Sequence, residues 1–507
     1  VNLDKKLRAA LKEGTNLLAV ETNKGRSQFF DVSLFDMKDG IADDILMTPG
    51  QPNILRGPNG FEWWLIYMAN KNDEHRGQYI NRVQFFDKTL FVDGITGPRT
   101  AGYHPEPSMP TFAGKGETAS FGVLQQVQPS VDYLFETGVK TEGGAGVIAW
   151  WKDADNCAYV GLDAENRSWY LRTLVGGKEN KESYALPEDF HWGVYHHLRI
   201  ERNGGCLKIW LDEIPAPGRH VFAEAVPAEE AGVPGVFDET KSALFEGATY
   251  TIGFDDVHFQ LSGNEELLKG DFLNDYELSF QLSGLSGQDK AGSYPVYVDK
   301  DNYVKAQFDG ITRMLEVTAV KKGKTAWKKE FPLGCLQTLY PDVKYTDFIE
   351  KGYRFAAPAW LDTLYLNRHE AGNKSEFVDD MFGKFDIEYL NGGEWHPIEN
   401  KDRGIAEHPA YNYCTFTPVK AEGIRFINKE AEDLERHIYK IGVHELWKES
   451  YNFRAVRRAD KLYLFVDGRE LGALDIRYPA SCIGFCSEGG SPVYSGTLYY
   501  HVGQRRD

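Results

Sequence analysis

The sequence predicts an all-β protein built from several sandwich-type domains, and three observations support this prediction. Short runs rich in Val, Ile, Tyr, Phe and Trp alternate apolar and polar residues with a period of two, bounded by Gly, Asn and Asp. A chain of 507 residues is also too long for one hydrophobic core. The third observation is an internal repeat, which indicates two related domains in tandem.

The first part of the repeat is a strand followed by an Asp-rich turn. Ala145-Gly146 and the turn at 153–156 recur as Ala291-Gly292 and the turn at 299–302, at a constant offset of 146 residues. Both turns carry Asp at their first and third positions. Because these Asp residues recur in both copies, we interpret them as structural turn residues rather than catalytic carboxylates.

A hairpin and a closing strand complete each copy. The hairpin at 195–212 recurs at 451–467, and the closing strand Ile252-Gly253-Phe254 is matched to Ile483-Gly484-Phe485. Between turn and hairpin the second copy is longer by about 110 residues, the size of a whole domain. The sequence therefore predicts two sandwiches, the second interrupted by an inserted domain.

The charge balance narrows the classes of partner. The chain has 57 basic and 75 acidic residues, a formal net charge of −18. A surface this acidic repels phosphate backbones and anionic headgroups, so we expect neither nucleic acid nor a membrane as a partner. No stretch approaches 18 uncharged apolar residues, the length that a spanning helix needs.

The repeated segments resemble a known family. AGVIAWWKDADNCAYVGLD and YHHLRIERNGGCLKIWLD are similar to the pattern of laminin-G-like, concanavalin-type sandwiches, which many secreted carbohydrate-active proteins carry as accessory modules. The resemblance implies one such sandwich over residues 116–264 and a second over 265–336 and 448–507. It implies a fold more strongly than a function, because these sandwiches bind sugars, bind proteins or act as spacers.

The interrupting block, residues 337–447, resembles a discoidin-like jelly roll of the galactose-binding-like type. The runs YRFAAPAWLDTLYLNRHE and FDIEYLNGGEWHPIE give its strand pattern. Trp395 follows a YLNGG turn, and Arg425 lies in the strand that precedes the closing strand, as in that family. The resemblance implies a further sugar-binding-like module.

Two resemblances cover the first part of the chain. Residues 1–40 resemble the end of a jelly-roll sugar-binding-like domain. Residues 41–115 resemble the last blade of the five-bladed propeller of glycoside hydrolase family 43, through Pro49-Gly50, the 57–60 turn and the strands that follow. Gln51 stands where that family has His. Only one blade is visible, so we expect further residues before Val1 and assign no catalytic residue.

Sugar recognition uses aromatic rings that stack on the apolar faces of sugar rings, with polar side chains that bind the hydroxyls. For each Trp in a sandwich, burial in the core is the alternative interpretation, and adjacent Trp residues in a strand direct only one ring outward. The candidate carbohydrate-binding residues are Gln51, Trp63, Arg76, Trp150, Trp151, Trp169, Trp395, Tyr411, Tyr413 and Arg425.

These patterns favour a C-terminal, carbohydrate-binding and propeller-supporting part of a secreted or periplasmic glycoside hydrolase. The resemblance implies polysaccharide degradation of arabinofuranosidase or xylosidase type, with an oligo- or polysaccharide and the N-terminal part of the same protein as partners. We expect no required cofactor and no metal among the site residues. The resemblance allows a structural calcium ion, since relatives often hold one.

Two alternatives stay open: a non-catalytic carbohydrate-binding or adhesion protein, and a scaffold whose sandwiches bind protein. The sequence leaves open the sugar, the linkage, the catalytic residues, a retaining or inverting outcome, and the oligomeric state.

Overall fold

The computed structural model confirms the all-β fold class. It describes residues 46–71, 76–86, 89–92, 106–114, 121–286, 289–339, 343–344, 350–368, 382–399, 401–406, 411–429 and 437–503. Within these ranges the one helical element is a short 3₁₀ helix, Phe382–Lys384. The described residues therefore include no helix long and apolar enough to cross a membrane. The predicted jelly-roll end at 1–40 lies outside them.

A four-stranded antiparallel sheet begins the described chain, in the order β1-β2-β3-β4. Its strands are β1 (Leu46–Arg56), β2 (Trp63–Lys71), β3 (Arg76–Phe86) and β4 (Thr89–Val92). Asn59 closes the β1–β2 turn, because its Oδ1 accepts the backbone N–H groups of Phe61 and Glu62, both at 3.0 Å. Both faces of this four-stranded sheet expose apolar side chains, which are Ile54, Leu55, Ile80, Phe85 and Leu90.

The first sandwich follows, with thirteen strands. They are β5 (Phe112–Ala113), β6 (Phe121–Val123), β7 (Asp132–Lys140), β8 (Gly144–Asp153), β9 (Asn156–Asp163), β10 (Ser168–Val175), β11 (Lys178–Ala185), β12 (Tyr195–Asn203), β13 (Cys206–Leu211), β14 (Ile214–Pro215), β15 (Val221–Phe222), β16 (Val233–Asp238) and β17 (Leu244–Gln260). One layer is a six-stranded sheet, β11-β10-β9-β8-β16-β6. The other layer has the order β14-β13-β12-β7-β17.

The second sandwich begins with β18 (Asn264–Leu273), β19 (Asp275–Ser283), β20 (Lys290–Asp299), β21 (Asn302–Asp309), β22 (Met314–Lys321) and β23 (Lys324–Pro332). An eight-stranded sheet, called the insert here, then interrupts it. The insert contains β24 (Cys335–Leu339), β25 (Val343–Lys344), β26 (Glu350–Arg368), β27 (Phe385–Asn391), β28 (Glu394–Pro397), β29 (Asp402–Ala406), β30 (Tyr411–Asn428) and β31 (His437–Lys448).

The chain returns to the second sandwich through β32 (Tyr451–Arg458), β33 (Lys461–Val466), β34 (Arg469–Asp475), β35 (Ser481–Glu488) and β36 (Val493–His501). Its layers are β18-β35-β20-β21-β22-β23 and β36-β19-β32-β33-β34. The strand order of the first sandwich is thus repeated: β8 corresponds to β20, β12 to β32, β16 to β35 and β17 to β36.

This correspondence corrects one match made from the sequence. Ile252 lies in β17, whose neighbour in its own sandwich is β7, whereas Ile483 lies in β35, which pairs with β20. The two segments therefore occupy opposite layers of their sandwiches. Both are buried Ile-Gly-Phe strands, and their similar local pattern cannot distinguish the two layers.

The repeated Asp turns are structural, as the repeat predicts. Oδ1 of Asp153 accepts the backbone N–H two residues later and the Asn side-chain amide three residues later, each at 2.9 Å. Oδ1 of Asp299 makes the same two hydrogen bonds, at 2.8 and 2.9 Å. The hydrogen bond from the Asn side chain is the largest cause that lowers the pKa of each carboxyl.

The two sandwiches share one twelve-stranded sheet, because β17 pairs antiparallel with β36. Gly253 is required at this junction: its φ is +152°, and a Cβ there would overlap the carbonyl oxygen of Tyr499. One hydrophobic core then extends through both sandwiches, while the insert has a separate core around Leu364 and Phe426.

Arg82 joins the four-stranded sheet to the outer face of the shared sheet. Its guanidinium donates to the Tyr500 hydroxyl at 2.8 Å and to Glu277 at 3.3 Å, and it is almost fully buried. Beside it, Glu62 accepts the backbone N–H of Ser108 at 2.9 Å. Burial raises the pKa of Glu62, an effect that the charge of Arg82 opposes.

We expect Arg82→Met to lower the free energy of unfolding by about 3–5 kcal/mol, because it removes the nearer of the two arginines that pair with the buried Glu277. Chemical denaturation with intrinsic fluorescence measures the change. The matched control is Arg219→Met, which removes an exposed ion pair to Glu182 and is expected to cost less than about 1 kcal/mol. Equal losses in the two variants would show that Arg82 does not anchor the sheet.

Candidate saccharide-binding face

The outer face of the six-stranded sheet in the first sandwich carries an aromatic cluster that is separate from the main core and in which Tyr170 and Phe237 are buried. Strand alternation directs Trp169 and Leu171 into the core and leaves Tyr170 and Arg172 on the outer side of β10. The neighbouring strand β9 contributes Tyr159 in the same way. We call this surface the first face.

The first face contains a shallow depression of about 190 Å³. It is lined by Tyr159, Tyr170, Arg172, Phe237, Asp238 and Glu239. The ring of Tyr159 meets that of Phe237 edge-on, with centroids 5.2 Å apart. Three strands, β9, β10 and β16, therefore build one aromatic surface.

Tyr170 lies across the sheet because Gly161, its cross-strand partner, has no side chain. A Cβ at Gly161 would overlap the ring and hydroxyl of Tyr170. Lys181 packs against this ring, with Nζ 4.1 Å from its centre. Burial raises the pKa of Tyr170, and the nearby charge of Glu239 adds to the effect. The phenol therefore stays neutral and can both donate and accept hydrogen bonds.

Arg172 is the polar centre of the depression. Its guanidinium lies 5.7 Å from the ring centre of Tyr159 and donates from Nη2 to Glu179 at 3.1 Å. Its Nε is buried and has no hydrogen-bond partner among the described residues. A buried donor without an acceptor is costly, so a shift of this side chain that brings the N–H to a ligand oxygen would be favourable.

The two acidic residues of the depression differ in their environment. Asp238 accepts hydrogen bonds from the backbone N–H of Ala243 at 2.7 Å and from Thr240. Burial opposes ionisation of Asp238, but these hydrogen bonds prevail and lower its pKa. Asp238 is thus an ionised structural carboxylate, and Glu239 is the acceptor left for a ligand.

The second sandwich offers a comparison within the same chain. In its six-stranded sheet, the positions equivalent to those of the first face carry different residues. Tyr159 corresponds to Lys305, Gly161 to Gln307, Tyr170 to Glu316, Arg172 to Thr318 and Phe237 to Cys486. The aromatic and arginine cluster therefore belongs to the first sandwich and is not a requirement of the fold.

The residues predicted from the sequence lie on separate sheets and do not form one site. In the first sandwich only Trp151 packs at the edge of the first face. Trp150 is fully buried and Trp169 nearly so, with its Nε1 bonded to the carbonyl of Pro217 at 3.0 Å. Their burial corrects the prediction for these two residues, since neither ring can contact a ligand.

In the four-stranded sheet, Gln51 is exposed at an irregular position of β1, with a φ of +51°. Trp63 is half-buried under the guanidinium of Arg56, 5.0 Å from its ring centre. Arg76 begins β3, but its side chain lies outside the described part of the chain.

In the insert, Arg425 stacks on Trp395 at 4.7 Å and pairs with Glu388 and Glu350. Those ion pairs join Arg425 to the neighbouring strands β27 and β26 and brace the sheet. Tyr413 is half-buried on β30. Tyr411 begins the same strand, and its side chain is not among those described.

One group of possible metal ligands lies where the four-stranded sheet meets the first sandwich. It consists of Glu136, His197 and Glu213, whose ligand atoms lie within 4.8 Å of one another. Arg56 already contacts both carboxylates, at 3.4 and 2.9 Å. The arginine supplies the positive charge at this position, so the group is an ion-pair network that fixes β1 to the shared sheet.

Comparison with known proteins gives structural likenesses only. No sequence family and no curated protein sequence matches the chain. A galectin from Caenorhabditis elegans matches 27% of this chain and 93% of its own, at 14% identity and a TM-score of 0.22. The carbohydrate-binding module CBM66 from Bacillus subtilis matches 40% of this chain and 96% of its own, at 14% identity and a TM-score of 0.20.

A β-fructofuranosidase from Aspergillus kawachii matches 91% of this chain and 71% of its own, at 11% identity and a TM-score of 0.26. Scores and identities this low assign no function to the chain.

We expect Asp238→Asn to lower the free energy of unfolding at neutral pH by about 1 kcal/mol, because the amide cannot accept all the hydrogen bonds that the carboxylate accepts. The native pKa lies below the unfolded value of about 3.8. The stabilisation is therefore complete above that value and is lost as the pH falls through the native pKa.

Chemical denaturation at pH 7 and pH 3 measures the free energy of unfolding. The gap in this free energy between the variant and the unmodified protein should be smaller at pH 3. The exposed Asp155→Asn is the matched control. A gap of the same size at both pH values would contradict the assignment of an ionised Asp238.

Proposed function

We propose that this chain is the carbohydrate-binding and propeller-supporting C-terminal part of a polysaccharide-degrading glycoside hydrolase, of arabinofuranosidase or xylosidase type. The observation that carries the proposal is the depression on the first face, where aromatic rings surround an arginine with an unpartnered donor. Oligo- or polysaccharide is the ligand.

The first face supplies each interaction that a sugar ring needs. Tyr159 is half-buried and offers apolar ring surface to the C–H groups of a pyranose or furanose, with the buried Tyr170 beside it. The half-buried guanidinium of Arg172 donates to a ring or hydroxyl oxygen, and the exposed Glu239 accepts from a hydroxyl. Specificity arises because a ligand without an oxygen at the Arg172 position would leave that donor buried and unpaired.

This surface is suited to binding rather than cleavage. Glycoside hydrolysis requires one carboxyl that stays protonated as the general acid. Asp238 does not fit that role, because the hydrogen bonds that it accepts lower its pKa. The catalytic carboxylates of the proposed enzyme would therefore lie outside the first face.

The propeller-supporting role is proposed for the four-stranded sheet. Ile54 and Leu55 are neighbours in one strand, so they face opposite sides, and both are exposed. A sheet with apolar residues on both faces is expected to lie between two other sheets, as a blade does in a propeller. The buried Arg82 contact would hold that propeller against the shared sheet.

A non-catalytic carbohydrate-binding or adhesion protein is the second candidate. The first face serves this candidate equally, because binding there requires no catalytic carboxyl. In this alternative the four-stranded sheet acts as a linker between modules.

Two measurements on the protein from its native source distinguish the two candidates. The first is its intact mass with N-terminal sequencing, and the second is an assay of that species on aryl arabinofuranosides and xylosides. We expect a longer species that hydrolyses these substrates. A native species that starts at Val1 and hydrolyses none of them would leave the binding or adhesion protein.

We propose a secreted or periplasmic location, where polysaccharide is accessible. A structural calcium ion stays part of the proposal, with no residues assigned to it.

We expect Arg172→Ala to weaken saccharide binding by about 1–3 kcal/mol, because it removes the central donor of the first face. Isothermal titration with soluble arabinoxylan, arabinan and xylan measures the affinity. The matched control is Thr318→Ala, at the equivalent position of the second sandwich, which should bind like the unmodified chain. Unchanged affinity in Arg172→Ala would refute the first face as the binding site.

A further inference from the structure

A crevice separate from the first face lies where the insert meets the second sandwich. It has a volume of about 260 Å³ and is open to solvent. Its walls come from both units. The segment Gly284–Ser286 follows β19 of the second sandwich, Trp360 and Lys420 belong to the insert, and Glu449 lies in the connection back to β32.

Trp360 lies in a row of side chains that crosses three strands of the insert. Its cross-strand partners are Lys420 on β30 and Trp447 on β31, so the three share one face of the sheet. Trp447 is buried in the core of the sandwiches, with Tyr451 5.1 Å away. Trp360 is half-buried and lines the crevice, and Lys420 reaches its rim. The row therefore leads from the core to solvent.

Arg313 holds the ring of Trp360 from outside the crevice. Its guanidinium lies 4.3 Å from the ring centre. Arg313 ends the β21–β22 turn with a φ of +58°, a costly conformation for a residue other than glycine. Asp309 stabilises this turn by accepting the N–H of Ile311 at 2.8 Å. The turn thus fixes the orientation of Trp360.

The rim of the crevice carries one donor and one acceptor side by side. Lys420 and Glu449 form an ion pair, and each remains more than a third exposed. An ion pair this exposed contributes little to stability, so it can open to a ligand at small cost. Neighbouring hydroxyl groups of a sugar present the complementary acceptor and donor.

We propose that this crevice is a second saccharide-binding site, which takes one neutral sugar unit of the polysaccharide bound at the first face. The ring of Trp360 stacks on the apolar face of the sugar, while Lys420 and Glu449 bind its hydroxyls. Arg313 is a positioning residue. The proposal rests on the proposed function, because it requires that the chain bind saccharide.

The experiment is isothermal titration of the chain with trisaccharides of arabinoxylan, arabinan and xylan, with stoichiometry as the readout. We expect two trisaccharides per unmodified chain. Trp360→Ala should bind one trisaccharide, at the first face. Arg172→Ala should bind one trisaccharide, in the crevice. The double variant should bind none. Trp360→Phe, which keeps an aromatic ring, should restore the second site.

Because Trp360 also contacts the core, the paired variant Lys420→Met with Glu449→Gln provides a second test on the exposed rim. It should lose the same site without a change in the unfolding midpoint. One trisaccharide per unmodified chain, abolished by Arg172→Ala, would overturn the crevice and leave the proposed function intact. Absence of binding to every probe would overturn both.

Discussion

The pairing of β17 with β36 is the constraint on which the rest of the structure depends. It joins two sandwiches into one shared sheet and requires Gly253, since any side chain there would displace the strand that carries Tyr499. With one face of the shared sheet covered by both six-stranded sheets, the opposite face is free to accept the four-stranded sheet through Arg82. The faces of the six-stranded sheets are then directed away from that attachment. The surfaces to which we assign propeller support and saccharide binding therefore lie on opposite sides of the shared sheet.

The two sandwiches keep the same core contacts and differ on their outer faces. Arg202 and Arg457 are both buried, donate to backbone carbonyls, and lie 5.9 Å from the rings of Tyr133 and Tyr276. Each tyrosine in turn donates to a carbonyl of the opposite layer. Such a network tolerates little change, because every lost partner leaves a buried polar group unpaired. The outer faces are under no such requirement, so one of them could acquire the aromatic and arginine cluster while the other did not.

This difference explains how far the sequence could predict the structure. The all-β class followed from period-two alternation, and the tandem repeat followed from the Asp turns and from hairpins whose spacing the core fixes. The first face could be predicted only at Trp151, because Tyr159, Tyr170 and Phe237 come from three strands whose neighbours are set by the sheet order. Alternation places Tyr170 and Trp169 on opposite sides of β10, but a pattern of period two shows neither which of them faces the core nor which outer face remains uncovered. The match of Ile252 to Ile483 failed for the same reason, since one local pattern suits both layers.

The insert can interrupt the second sandwich because its side chains supply the packing that the core needs between β23 and β32. In the first sandwich a short link joins β11 to β12, and its Phe190 and Trp192 pack against the core. In the second sandwich the insert occupies the corresponding link, and Trp447 and Trp360 pack against the same core. An aromatic pair is thus supplied at both positions, by a few residues in one copy and by a whole sheet in the other. A sheet is wider than a link, so its strands extend past the edge of the core. Trp360, at that edge, is therefore half-covered by protein and half-open to the crevice.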